Sequence, residues 1–176
     1  MEYKQIIPCI YLSNGLAVKN LHDRSKVSED PVGLASDFEN HGADAIIIFD
    51  FSVNDAGHEK NLEIIKAINH TVDIPLIGAG NVKRAEDIKK LLYAGCEIAA
   101  LNFPKAENIE LAKEVSKRFD REKIAASVAD TSELDAGENE IKNYTNKDNW
   151  NKHHRPKIDK WSKNDSYFHI LVTFFI

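Results

Sequence analysis

The sequence has few cysteines and a deficit of basic residues. Its two cysteines, Cys9 and Cys96, lie in apolar stretches without metal-ligand spacing, which favours two small buried side chains over a disulfide or a metal site. Lys and Arg number 23 against 28 Asp and Glu, and no basic stripe offsets the net charge of −5. A nucleic-acid partner is therefore not expected. No motif predicts a cofactor or a metal.

Long apolar runs are also missing. The longest are AIIIF at 45–49 and FHILVTFFI at 168–176, whereas a membrane-spanning helix needs roughly 18–20 such residues. The first residues, MEYKQIIPC, lack the basic lead and the cleavage site of a secretory signal. The sequence thus predicts a cytoplasmic protein without a membrane partner. With 176 residues and 43% hydrophobic content, the chain can bury one core.

The sequence does contain a regular alternation of apolar and amphipathic segments. A strand candidate at 6–12 is followed by a helix with Asp30 as N-cap, Pro31 in its first turn and Gly42 as its stop. Further strand candidates lie at 43–51, 74–80, 97–103 and 123–130, and further helix candidates at 59–70, 85–95 and 108–119. This alternation predicts an α/β fold with βαβ crossovers and a parallel sheet.

In such sheets the residues that bind ligands gather where the strands end. Gly78 and Gly80, after the third strand, either let backbone amides approach a phosphate or form a plain tight turn. Asn102, after the fourth strand, either donates to the same phosphate or caps a turn. Asp50, after the second strand, either binds substrate or caps its loop. Four histidines in loops or at helix ends are expected to be solvated: His22, His41, His58 and His70.

Several segments together resemble a known family. IIPC at 6–9, DPVGLASDFENHGADAIIIFD at 30–50 and NLEIIKAINHTVDIPLIGAGNVKRAEDIKKLLYAG at 61–95 resemble the N-terminal half of the histidine-biosynthesis (βα)8 barrels. The two enzymes of that family are the cyclase subunit of imidazole glycerol phosphate synthase and the phosphoribosyl-formimino carboxamide ribotide isomerase. IIPC and DPV favour the cyclase. The resemblance covers residues 4–130. It implies a phosphorylated sugar ligand, with one phosphate near the third and fourth strand ends, and a glutamine amidotransferase partner.

The catalytic residues that the resemblance implies are incomplete. Both enzymes use one aspartate at the end of the first strand and one at the end of the fifth as general acid and base. Tyr11 stands at the first position, and a phenol of pKa about 10 is a poor base at neutral pH. At the second position, the alignment gives either Ala129 or, with one inserted residue, Asp130, which we take as the catalytic candidate. Phe103 replaces a threonine that is usual at the phosphate site.

The C-terminal part departs from the resemblance. A closed barrel needs eight strands and about 250 residues, so we expect an incomplete barrel of about five βα units at 1–136. Residues 137–176 are expected to be a divergent polar tail ending in an apolar strand candidate. This part of the sequence is compatible with a truncated or frameshifted product and also with a true divergent ending. Open sheet edges predict self-association.

Three functions remain open at this point. The first is a cyclase of impaired activity that acts on a phosphoribosyl imidazole-carboxamide precursor, with Asp130 as the surviving acid or base. The second is a non-catalytic barrel that binds a sugar phosphate or serves as a regulatory module. The third is the isomerase of the same family.

Overall fold

The computed structural model of the chain describes residues 5–102 and 106–127. The chain divides into two compact units between Ala99 and Ala100. The strands within the described residues are β1 Cys9–Ser13, β2 Leu16–Val18, β3 Lys26–Ser28, β4 Ile46–Asp50, β5 Leu76–Ala79, β6 Ile98–Asn102 and β7 Ile124–Ser127. The helices are α1 Pro31–Asn40, α2 Asp55–Asn69, α3 Ala85–Tyr93 and α4 Ala106–Val115, with a 3-10 turn at Arg121–Lys123.

The first unit is built on a sheet in the order β3-β2-β1-β4-β5. The pairs β1–β4 and β4–β5 are parallel, with Tyr11 opposite Phe49 and Phe49 opposite Ala79. The chain then runs beside β5 again on its way into β6, since the Glu97 N–H donates to the Leu76 carbonyl at 2.9 Å. These parallel strands, with helices between them, confirm the predicted α/β fold.

A hairpin between β1 and α1 was not predicted. Strand β2 pairs antiparallel with β1, and β3 pairs antiparallel with β2. The turn that joins β1 to β2 is Asn14-Gly15, with φ of 52° and 84°, the geometry in which a two-residue turn follows the twist of its strands. Asn-Gly is a strong turn signal, but the strands after it are only three residues long and show no clear alternation.

The ends of α1 follow the predicted signals, whereas α2 begins at Asp55 rather than at the predicted residue 59. The Asp30 carboxylate accepts from the Gly33 N–H at 2.9 Å, so Asp30 is the N-cap of α1, and Pro31 is its first residue. Gly42 follows the helix with φ of 88°. Helix α2 is capped in the same way, by Asn54 accepting from the Gly57 N–H at 2.8 Å. The predicted boundaries of α1 are thus confirmed.

The core of the first unit lies on both faces of the parallel strands. Every residue of β4 is buried, as its uninterrupted apolar run predicts. One face packs against the helices, because a Cβ placed on Gly78 would lie 2.9 Å from Leu91 of α3. Cys96 is buried beside it, as predicted, whereas Cys9, which was also predicted to be buried, is half-buried. Burial raises the pKa of the Cys96 thiol to about 12.

The second unit contains the end of β6, helix α4, the 3-10 turn and β7. Leu111, Ala112 and Val115 of α4 are buried, and so is Ile124 at the start of β7. The predicted fifth strand at 123–130 is therefore described as far as Ser127. The tail at 137–176 and the count of further βα units lie outside the described residues. Among the helices that are described, none is long and apolar enough to cross a membrane.

Candidate functional site

A buried carboxylate stands at the end of β4. Asp50 is 1% exposed. Its Oδ1 accepts from the Asn61 side-chain amide at 2.6 Å and from the Ser52 N–H at 2.8 Å, and its Oδ2 lies 2.5 Å from His58 Nδ1. Carboxylate oxygens accept, so we place the proton of the last contact on Nδ1. Asp50 therefore has a structural role as a loop cap, while its predicted contact with a ligand stays a prediction.

Asn61 of α2 connects this carboxylate to the first strand. The residue is 0% exposed. Its Oδ1 accepts from the Gly15 N–H at 2.8 Å, and its Nδ2 donates to the Leu12 carbonyl at 3.3 Å as well as to Asp50. The turn between β1 and β2 is thereby attached to the helix layer. Each polar atom of the Asn61 side chain has a partner, which a fully buried amide requires.

The prediction that His58 is solvated is wrong. The residue is 7% exposed and lies in the first turns of α2, next to Asp50. Its other ring nitrogen, Nε2, is buried without a hydrogen-bond partner among the described residues. A longer helical stripe would have indicated this burial, because each of the buried residues His58, Asn61, Leu62, Ile65 and Ile68 has another of them three or four positions away. The other three histidines are exposed, as predicted.

The two candidate phosphate glycines are both tightly packed. Gly80 has φ of 80°, and a Cβ there would lie 2.4 Å from the Asp50 carbonyl oxygen. A Cβ on Gly78 would lie 2.8 Å from Cys96 Sγ. Packing thus accounts for both glycines, and phosphate binding by them stays a prediction. Asn81 follows Gly80, and its side-chain amide donates to Ser52 Oγ at 2.8 Å, which joins the loops after β4 and β5.

Tyr11 lies in an aromatic cluster in the middle of β1, rather than at the strand end. Its ring stacks on Phe49 at 5.4 Å and on Phe51 at 5.5 Å between centroids. Its hydroxyl is hydrogen-bonded to Cys9, two residues earlier on the same strand face. Burial is the main cause that raises the pKa of Tyr11 to about 12. Tyr11 is therefore a protonated phenol at neutral pH, as the sequence predicts.

The remaining candidates lie elsewhere. Asn102, in the second unit, has an exposed side chain, and its backbone carbonyl accepts from the side-chain amide of Asn108. Asn108 is buried, and we did not predict its role. Asp130, Ala129 and Phe103 lie outside the described residues. No group of His, Cys, Asp and Glu in the described ranges has the arrangement of a metal site.

Known proteins match most of this chain. Among them are relatives that carry the name imidazole glycerol phosphate synthase subunit HisF. The one from Tolumonas auensis is 29% identical over 166 residues, which is 94% of this chain and 63% of the relative. The relative from Sulfurisphaera tokodaii is 32% identical over 133 residues, 73% of this chain and 52% of its own. The relative from Corynebacterium diphtheriae is 34% identical over 125 residues, which is 70% of this chain and 48% of the relative. This chain spans less than two thirds of each.

The family profile extends further than the resemblance read from the sequence. The profile described as "Histidine biosynthesis protein" matches residues 5–168, whereas we placed the end of the resemblance at residue 130. This end of the resemblance was placed too early, because the polar sequence after residue 137 has little periodicity by which similarity could be recognised. The parallel α/β architecture and the profile match over nearly the whole chain lead to one conclusion: the chain belongs to the histidine biosynthesis protein family, whose fold is of the (βα)8-barrel type.

Proposed function

We propose that this chain is a cyclase-type member of the family that binds a phosphorylated imidazole precursor and has lost proton transfer at its first strand. The observation that carries the proposal is the environment of Tyr11. The family resemblance puts a catalytic aspartate at this position, and the matched relatives named HisF support the cyclase lineage.

Tyr11 is a poor replacement for that aspartate on three grounds. Its pKa of about 12 leaves almost no phenolate at neutral pH. Its hydroxyl is engaged with Cys9, and its ring is stacked on Phe49 and Phe51. A general base must reach the proton that it removes and must have a pKa near the working pH. Asp130 would then be the one remaining carboxylate of the catalytic pair.

Ligand binding does not depend on that carboxylate pair. We propose that Gly78, Gly80 and Asn102 contribute backbone or side-chain amides to a phosphate, and that the loop after β4, which begins at Asp50, borders the ligand. The relatives are named as a synthase subunit, which supports the proposal that this chain has a partner chain. The family resemblance implies that this partner is a glutamine amidotransferase.

The aromatic cluster also favours a second function. A barrel that binds a sugar phosphate and performs no chemistry, as a regulatory module does, needs a dry and rigid site wall but no acid or base. Tyr11, Phe49 and Phe51 supply such a wall. The isomerase of the same family uses the same aspartate pair and is the third candidate.

Complementation of histidine auxotrophs tests these functions. Strains that lack the cyclase or the isomerase would express the unmodified chain, Tyr11→Asp or Tyr11→Phe, with soluble protein confirmed in each case. We expect no growth from the unmodified chain or from Tyr11→Phe. Growth of the cyclase mutant with Tyr11→Asp would show that one carboxylate was missing. Growth with the unmodified chain would overturn the proposal, and rescue of the isomerase mutant would change the lineage.

A further inference from the structure

We infer that Asp50, His58 and Asn61 form a buried positioning cluster that holds the loops after β1, β4 and β5 in place, and that Asp50 affects ligand binding through these loops rather than by touching the ligand. The part that concerns the ligand rests on the proposed function. The part that concerns the loops does not.

The side chain of Asp50 points to the helix layer. Tyr11, Phe49 and Ala79 are in register on neighbouring strands, so they share one face of the sheet. Side chains alternate between faces along a strand, which puts Asp50 on the opposite face from Phe49. The hydrogen bonds of Asp50 to His58 and Asn61 of α2 agree with this orientation. Both carboxylate oxygens are thus occupied on the side away from the aromatic cluster.

The cluster fixes the turn after β1 from two sides. Asn61 accepts from the Gly15 N–H and donates to the Leu12 carbonyl, which lie on either side of Asn14. The turn also rests directly on α2, because a Cβ on Gly57 would lie 2.4 Å from Asn14 Oδ1. The hairpin of β2 and β3 extends from this turn, so its placement at the sheet edge depends on Asn61.

The same carboxylate fixes the loops after β4 and β5. The Ser52 N–H donates to Asp50 Oδ1, and Ser52 Oγ accepts from the Asn81 amide. Gly80 lies directly against the Asp50 backbone, where a Cβ would have no room. Asp50 therefore makes hydrogen bonds to α2 and to the loop after β4, and its backbone contacts the loop after β5.

His58 acts in this cluster through Nδ1. Its Nε2 is buried and has no hydrogen-bond partner within the described part of the chain, so the polar contact of the ring is the one to Asp50 at 2.5 Å. An asparagine at position 58 could place an amide N–H near the position of Nδ1, whereas a leucine could not. This pair of variants separates the hydrogen bond from the volume of the side chain.

Amide hydrogen exchange tests the loop part of the inference on 15N-labelled full-length chain. The variants are His58→Leu, its conservative partner His58→Asn, and Asn61→Leu, with Asn69→Leu at an exposed position of the same helix as control. We expect exchange at Gly15 and Ser52 to quicken by about tenfold or more in both His58→Leu and Asn61→Leu. His58 does not bond to Gly15, so a faster Gly15 amide in His58→Leu would show that the three residues act together. If Asn61→Leu fails to fold, the two His58 variants decide the result.

Titration calorimetry with imidazole glycerol phosphate tests the ligand part on the same samples, at a temperature where all are folded. His58→Leu and Asn61→Leu should each raise the Kd by about tenfold. The Kd of His58→Asn and of Asn69→Leu should stay within about threefold of the parent value. A purely structural role would lower stability but leave the Kd of the folded protein unchanged. Asp50→Asn is added to this series. If Asp50→Asn weakens binding while Asn61→Leu does not, Asp50 touches the ligand and the inference is wrong.

The two proposals fail in different ways. If the unmodified chain does not bind the probe, the proposed function fails, and exchange at Gly15 and Ser52 still decides whether the cluster holds the loops. If exchange at both amides is as slow in the leucine variants as in the parent, the positioning cluster is refuted whatever the binding results. If exchange quickens and the Kd does not change, the ligand part is refuted.

Discussion

Gly80 offers the sharpest test of how the end of β5 is packed. Its φ of 80° lies in the left-handed region, which costs a residue with a Cβ about 1–2 kcal/mol. A Cβ there would also lie 2.4 Å from the Asp50 carbonyl oxygen and 2.9 Å from its nitrogen, and these backbone atoms cannot rotate away. Forced overlap in a packed region costs about 1–3 kcal/mol more. We therefore expect Gly80→Ala to lower the free energy of unfolding by about 2–5 kcal/mol.

Gly42 is the matched control for this substitution. Its φ is 88°, but a Cβ there would meet nothing within 4 Å. Gly42→Ala should therefore lose only the conformational part, about 1–2 kcal/mol. Urea denaturation followed by circular dichroism gives both values, and their difference isolates the contact with Asp50. Equal losses for the two variants would refute the close approach of Gly80 to the β4 backbone.

Three further predictions concern a helix cap and two titrating groups. Asp30→Ala removes the cap on the Gly33 N–H and should lower the free energy of unfolding by about 1 kcal/mol in urea melts; a loss below 0.3 kcal/mol, roughly, would show that the cap is ineffective. The pKa of the Cys96 thiol is raised from 9.0 to about 12, so its contribution to stability is complete below pH 9 and is lost as pH rises toward 12. Urea melts between pH 8 and pH 11, roughly, should accordingly show a steeper loss in the parent than in Cys96→Ala, and equal slopes would contradict this. For Tyr11, the difference in ultraviolet absorbance between the parent and Tyr11→Phe should titrate with a midpoint near 12 while the chain stays folded, and a midpoint near 10 would show an ordinary phenol.

The parts of the fold with strong local signals could be predicted from the sequence. Asp30-Pro31 and Gly42 mark the ends of α1, and the unbroken apolar run of β4 predicts a strand that is covered on both faces. The hairpin of β2 and β3 could not be predicted in the same way. Its strands are short, and their pairing depends on contacts with β1 that no local pattern encodes.

The candidate site was predicted less well than the fold. Asp50 was singled out because it is a carboxylate at the end of a strand. The direction of its side chain could not be predicted, because it depends on the pairing register of the strands. His58 was missed because the predicted helix began at residue 59, which left it at a helix end, and Asn61 was not singled out. The spacing of both residues from Ile65 is nevertheless that of one buried helix face. Tyr11 lies on the first strand, as predicted, but in the middle of β1 rather than at its end, and burial is the main cause of its raised pKa.

The central claim is that the first strand of this chain no longer transfers protons, and an assay of turnover on purified protein tests it most directly. The unmodified chain, Tyr11→Phe and Tyr11→Asp would be given the phosphoribosyl imidazole-carboxamide precursor with ammonium ions as the nitrogen source, and product would be followed by mass spectrometry. We predict no turnover from the first two. Turnover by the unmodified chain that disappears in Tyr11→Phe would show that the Tyr11 hydroxyl takes part in the reaction and would contradict the account.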